Sequence, residues 1–146
     1  MHGVRQTALA IGFAGLVACA GDGTGPGNQN GPGNGGPPTL SGDVQPILTA
    51  SCAFSGCHGG ASPAQGMSLV AGQTFANTVN VPANELASMD RIEPNQPDQS
   101  YLVRKIEGTQ AAAGGSGARM PLGGAALSQS DIDTIRGWIT AGALNN

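Results

Sequence analysis

The chain has 146 residues, with 6 Lys and Arg against 9 Asp and Glu, a formal net charge of −3 and only 3% aromatic residues. That length allows one small domain, and the weak acidity without a basic run excludes the electrostatic footprint of a nucleic-acid binder. With so little aromatic bulk, a domain of about a hundred residues is expected to need a staple or a buried group to complete its core.

Residues 1–18 read as an export signal. His2 and Arg5 lie near the start, and the apolar run over residues 8–17 is too short to cross a bilayer as a helix. The run ends in Leu16-Val17-Ala18-Cys19, which resembles the lipobox of bacterial lipoproteins. This implies lipidation at Cys19, several acyl chains holding the chain on a lipid membrane, and a place in the cell envelope. Ala20, where an Asp would retain the protein at the inner membrane, favours the outer one. Assigning Cys19 to lipid also removes the odd thiol and leaves Cys52 and Cys57 as a pair. Residues 19–39, dominated by Gly, Pro and Asn, read as a linker without core-forming side chains.

Residues 40–146 are the expected folded domain. Ser41 is placed to cap a first short helix carrying Val44, Ile47 and Leu48 at helical spacing, with Pro46 confined to its first turn. Residues 59–108 are punctuated by Pro63, Gly66, Gly72, Pro82, Pro94 and Pro97 and predict loops and short helices, with brief extended or helical pieces at 67–69 and 75–81. Residues 100–106 predict a helix with Asp98 or Gln99 near its start and Leu102, Val103 and Ile106 facing inward. A small-residue stretch at 108–117 leads into Arg119-Met120-Pro121, and the best-defined helix follows. Ser128-Gln129-Ser130-Asp131 is a capping box in its Asp form, Ile132, Ile135, Trp138 and Ile139 share one face, and Gly142 is the stop. Together these elements predict an all-α domain, small and helical, with long loops.

The chemistry lies in Cys52-Ala53-Phe54-Ser55-Gly56-Cys57-His58. Covalent haem attachment ordinarily uses two cysteines separated by two residues, followed at once by the histidine that becomes the proximal iron ligand. Four residues separate the cysteines here. Helical residues three apart lie about 60° apart around the axis, whereas residues five apart differ by about 140°, so both thiols cannot reach one porphyrin from a regular helix. The segment must loop or bulge, and Gly56 is free to take the positive φ that this requires. His58 is the one histidine beyond the leader, which makes it the candidate proximal ligand and leaves a zinc site short of its fourth Cys or His. Met120, far along the chain in a Gly-rich loop, is the candidate distal ligand in competition with Met67 and Met89, because methionine is more often a core filler. Arg119 is a candidate partner for a propionate, and Trp138 a candidate for the haem edge or for the helix interface. The competing reading has no haem: a Cys52 to Cys57 disulfide staples a structural or binding lipoprotein, and His58 is an ordinary loop residue.

Val44-Gln45-Pro46-Ile47-Leu48, Cys57-His58-Gly59, the run from Pro97 through Val103 with Lys105, Arg119-Met120-Pro121, and Ile135-Arg136-Gly137-Trp138-Ile139 with Ala141-Gly142-Ala143 occur in this order. In that order they resemble bacterial cytochrome c domains, nearest the planctomycete-type and related exported haem domains, over residues 40–144. The resemblance implies a monohaem, class I-like cytochrome fold with one covalent haem c on Cys52 and Cys57, His58 proximal and Met120 distal. It also implies one-electron transfer with redox-protein donors and acceptors, a carrier and not an enzyme. Asp90, Glu93, Asp98 and Glu107 read as solvated surface rather than as catalytic carboxylates. The four-residue spacer departs from the family's common pattern.

Overall fold

Thr39 starts the fold. Its extended backbone lets Oγ1 accept the Gly42 amide at 3.2 Å, while its own amide and hydroxyl donate to the Asp43 carboxylate at 2.7 and 2.8 Å. This reciprocal cap lies two residues ahead of the expected Ser41, because Asp43 four residues on returns both bonds to Thr39. A π-helical turn, Leu40–Val44, then runs directly into helix α1, Gln45–Ser51, with Pro46 in its first turn as the sequence requires. Val44 and Leu48 are fully buried, and Ile47 packs against their edge. The computed structural model describes residues 35–146. The leader, Cys19 and the linker as far as residue 34 lie outside the described residues.

Helix α2, Thr74–Thr78, is followed by a hairpin of β1, Pro82–Ala83, and β2, Leu86–Asp90. The strands are antiparallel, pairing Pro82 with Asp90 and Ala83 with Leu86 across a bulge. The hairpin corrects the all-α expectation: the domain is mostly helical with a small two-stranded element. Its residues carry no alternating apolar pattern, so nothing in side-chain periodicity announces it. What holds it is main-chain pairing that continues past its open end, from Arg91 N–H to the Val81 carbonyl at 2.7 Å and from Asn80 N–H to the Ile92 carbonyl at 3.0 Å.

Helix α3, Tyr101–Glu107, follows a 3-10 turn at Pro97–Gln99 and buries Leu102, Val103 and Ile106 as expected. Helix α4, Gln129–Thr140, opens on the expected cap, with Ser128 Oγ accepting the Asp131 amide at 3.1 Å. Its face of Ile132, Ile135, Trp138 and Ile139 is buried against α3 and the Leu40–Val44 turn. The two ends of the domain are tied directly, because the Leu40 and Ser41 amides donate to the side-chain and main-chain oxygens of Asn146 at 2.9 and 2.8 Å. Among the described residues no helix is long and apolar enough to cross a membrane.

Trp138 is the largest fully buried side chain, and its indole N–H donates to the Leu144 carbonyl at 2.8 Å. Trp138→Ala empties the junction of α4 with the first turn and should cost about 3–5 kcal/mol in urea denaturation. A loss below about 1 kcal/mol would mean that this junction does not carry the core.

Candidate functional site: a cavity walled by Cys52, Cys57, His58 and Met120

Helix α1 stops at Ser51 because the chain turns sharply after Cys52. The Cys52 and Ala53 amides both reach back to the Leu48 carbonyl, at 2.8 and 2.9 Å. The Phe54 carbonyl then accepts the amides of Cys57 at 3.0 Å and Gly59 at 2.9 Å, and the His58 amide closes the loop onto the Cys52 carbonyl at 3.1 Å. Gly56 takes φ +83°, the left-handed conformation that this tight return needs. Gly59 passes so close to the backbone of Ala53 that a Cβ there would collide with the Ala53 carbonyl. The segment between the two cysteines therefore loops, as its four-residue length requires.

The same loop fixes the imidazole. His58 is 9% exposed, its carbonyl receives the Leu69 amide at 2.8 Å, and its Nδ1 lies 3.2 Å from the Met67 carbonyl. A carbonyl oxygen only accepts, so this contact assigns the ring proton to Nδ1 and leaves the Nε2 lone pair free for a ligand. An N–H to carbonyl bond behind the ring is the usual means by which a ligating histidine is oriented and made more basic.

In front of the ring is a cleft of two adjoining lobes, of about 420 and 330 Å3, a size typical of ligand sites. Cys52, Cys57, His58 and Met120 all line the larger lobe, and Cys52, His58 and Met120 also line the smaller. The structure thus brings together all four described residues that the sequence singles out. Cys52 is buried and Cys57 exposed, and both are free thiols. Burial, and secondarily the nearby Cys57 sulfur, push the Cys52 thiol up to about 11. Met120 is positioned by helix α3, whose Lys105 carbonyl accepts its amide at 2.9 Å. Of its competitors, Met89 lines neither lobe, and Met67 lines only the smaller one, with its main-chain carbonyl on the Nδ1 side of the ring. Phe54 and Leu122, 52% and 71% exposed, line the larger lobe, and Leu122 the smaller as well.

Two other candidates sit elsewhere. Arg119 lies across Gly108 with its guanidinium toward the Gly124 carbonyl, and it lines neither lobe. Trp138 likewise faces neither lobe and fills the helix interface. No group of three or more His, Cys, Asp or Glu residues comes together among the described residues, so no zinc-like cluster forms there.

The smaller lobe contains charge that the sequence did not announce. Lys105 Nζ pairs with Glu85 Oε2 at 2.7 Å, and the Tyr101 hydroxyl donates to the same oxygen at 2.9 Å. Burial first, then the Glu85 carboxylate, raise the Tyr101 phenol and keep it a donor. Tyr101 and Lys105 are four apart on α3, and that spacing is the one signal from which their shared face was readable. Arg91 is 7% exposed and lines the lobe as well. Burial lowers its pKa, yet a guanidinium stays protonated. No family model, curated protein or solved structure matches the chain.

The loop geometry has a chemical consequence. In the reduced polypeptide without a ligand, about 0.1% of Cys52 is thiolate at pH 8, and its sulfur is shielded. Iodoacetamide should label Cys57 at least about tenfold faster than Cys52, as read by peptide mass mapping. Gly59→Ala, by forcing the loop off Ala53, should bring the two rates together. Equal rates in the unaltered chain would contradict the buried placement of Cys52.

Proposed function

We propose that this chain is an exported, lipid-anchored monohaem c-type cytochrome that passes one electron at a time between redox proteins. The observation that carries the proposal is the convergence of Cys52, Cys57, His58 and Met120 on one cavity, from segments as far apart as residues 52 and 120. The fit rests on the donor set and its orientation. Two free thiols stand beside a buried imidazole whose Nε2 is unengaged, a thioether completes the opposite demand, and the lining is otherwise largely apolar.

Each part of the site has a role in this reading. The Cys52 and Cys57 thiols would hold a haem covalently, as thioethers to its two vinyl-bearing positions. His58, held by the Met67 carbonyl, would supply the proximal nitrogen, and Met120, held by the Lys105 carbonyl, would supply the distal sulfur. A bound haem would supply the one-electron iron couple, with a potential raised by the sulfur ligand. Exposed Phe54 and Leu122 provide an apolar rim where a redox partner approaches the buried group. The finer fold assignment, class I-like cytochrome c, is supported by the first and last helical segments packing on each other behind the cavity. The envelope location and membrane anchoring rest on Leu16-Val17-Ala18-Cys19.

Purification after export in a host that matures c-type haem tests the reading. The pyridine haemochrome spectrum should show haem c, and the mass should equal the polypeptide with its lipid plus one haem. No Soret band, with a mass two hydrogens below the reduced polypeptide, would replace the cytochrome with the disulfide-stapled lipoprotein. Met120→Ala should abolish the sulfur-to-iron band at the red end of the oxidised spectrum while the haem stays attached. Survival of that band would transfer the distal role to Met67.

A further inference from the structure

Arg91 is the buried charge for which the domain supplies no counter-charge. The described residues include five basic side chains, and the other four are differently placed. Lys105 is paired with Glu85, Arg136 bridges Asp98 and Glu107, Arg104 reaches the Asp98 carbonyl at the surface, and Arg119 lies over Gly108. Arg91 alone is nine-tenths buried without a carboxylate. Its Nη1 donates to the Asn77 carbonyl at 2.7 Å and its Nη2 to the Gln65 carbonyl at 2.9 Å. That uses two of the five N–H donors of a guanidinium, and no other acceptor among the described residues takes the rest.

The carbonyls that hold it are held in turn. Gln65 adopts φ +56°, a strained conformation for a residue with a side chain, and its carbonyl receives both Arg91 and the Asn84 side-chain amide, the latter at 2.8 Å. Neutral carbonyls orient a cation and do not cancel its charge, and a buried cation without an anion is costly. The other ionisable groups around the smaller lobe do not offset it, since Glu85 is taken by Lys105 and Tyr101 is a donor to Glu85. The lobe therefore carries one net positive charge with unused donors at its wall.

We propose that Arg91 is the receptor for a carboxylate of the bound group, and that the acidic edge of the tetrapyrrole is buried in the smaller lobe beneath the hairpin. This rests on the haem reading. The ring would then have a fixed sense, with Cys57 at the larger lobe and the propionate edge at Arg91 in the smaller. Three N–H groups of Arg91 remain to donate to a carboxylate, and Arg119, the candidate from sequence, lines neither lobe.

The test is the reduction potential of the purified holoprotein from pH 5 to 9, for wild type, Arg91→Gln and Arg91→Lys. Removing a positive charge near the iron stabilises the oxidised form, so Arg91→Gln should have a lower potential than wild type at pH 8. Its freed carboxylate no longer has the neighbour that keeps it ionised, so the potential should rise as the pH falls towards 5, where the wild type stays flat. Arg91→Lys should lie close to wild type. Identical potentials and pH profiles in Arg91→Gln and wild type, with only a loss of melting temperature, would make Arg91 a clamp between the Ala64–Gly66 turn and α2 and overturn the proposal. If Arg91→Gln does not mature, the wild type decides alone. One haem carboxylate should stay ionised by carbon NMR to the lowest pH at which the protein remains folded, and two carboxylates titrating in the ordinary range would overturn the assignment. A wild type with no Soret band defeats the haem reading itself, an outcome distinct from an attached haem that does not sense Arg91.

Discussion

The hydrogen bond from the His58 amide to the Cys52 carbonyl is the constraint on which the site depends. By sequence the two cysteines are five apart, a separation that a helix would send to different sides. The bond instead closes residues 52–58 into a loop, and one histidine is thereby delivered to a wall that already holds the end of α1. Everything that makes the loop possible is local: the end of helix hydrogen bonding at Leu48, the doubly accepting Phe54 carbonyl, left-handed Gly56 and the bare Cα of Gly59. A side chain at residue 59 would separate Phe54 from its amides and with them the imidazole from its place.

From that loop the constraint passes outward through carbonyls. The His58 carbonyl takes the Leu69 amide, and the Met67 carbonyl meets the ring, so the segment following the loop is pinned to it at two points. The Gln45 side chain extends the same network, its amide donating to the Leu69 carbonyl at 2.9 Å and its oxygen accepting from the Thr74 hydroxyl at 2.6 Å, both buried. Helix α1 therefore positions the loop by chain continuity and α2 by a side-chain bond. The smaller lobe of the cleft is bounded by the end of α1, the hairpin and α3, and α2 supports it from outside through that bond.

The parts legible in the sequence were those set by local chemistry. Ser128 with Asp131 and the Ile132, Ile135, Trp138 and Ile139 face named α4, and Leu102, Val103 and Ile106 named α3, since capping and 3.6-residue periodicity act within a single element. Cys52, Cys57, His58 and Met120 were legible as residue types with a chemical use. The hairpin was not, because its pairing is carried by backbone groups that any residues possess. The shift of the first cap from Ser41 to Thr39 turned on which of two neighbouring hydroxyl residues met Asp43. Arg91 was invisible for another reason. An arginine between Asp90 and Ile92 reads as surface, and its burial is decided by where the carbonyls of Gln65 and Asn77 lie, which is a tertiary fact.

The charge distribution along the cleft gives it a direction that its shape alone does not. The larger lobe holds the Cys57 thiol and the exposed side chain of Phe54, and no Asp, Glu, Lys or Arg lines it. In the smaller lobe Glu85 and Lys105 neutralise each other, and Tyr101 donates to the same carboxylate, so the field there is that of Arg91. A flat ligand with acidic groups at one edge gains from one orientation and loses from the other, because reversal would expose its anions to apolar walls and leave the guanidinium bare. The asymmetry of the cleft thus comes down to one guanidinium without a carboxylate partner, held by the carbonyl of Gln65 on left-handed backbone.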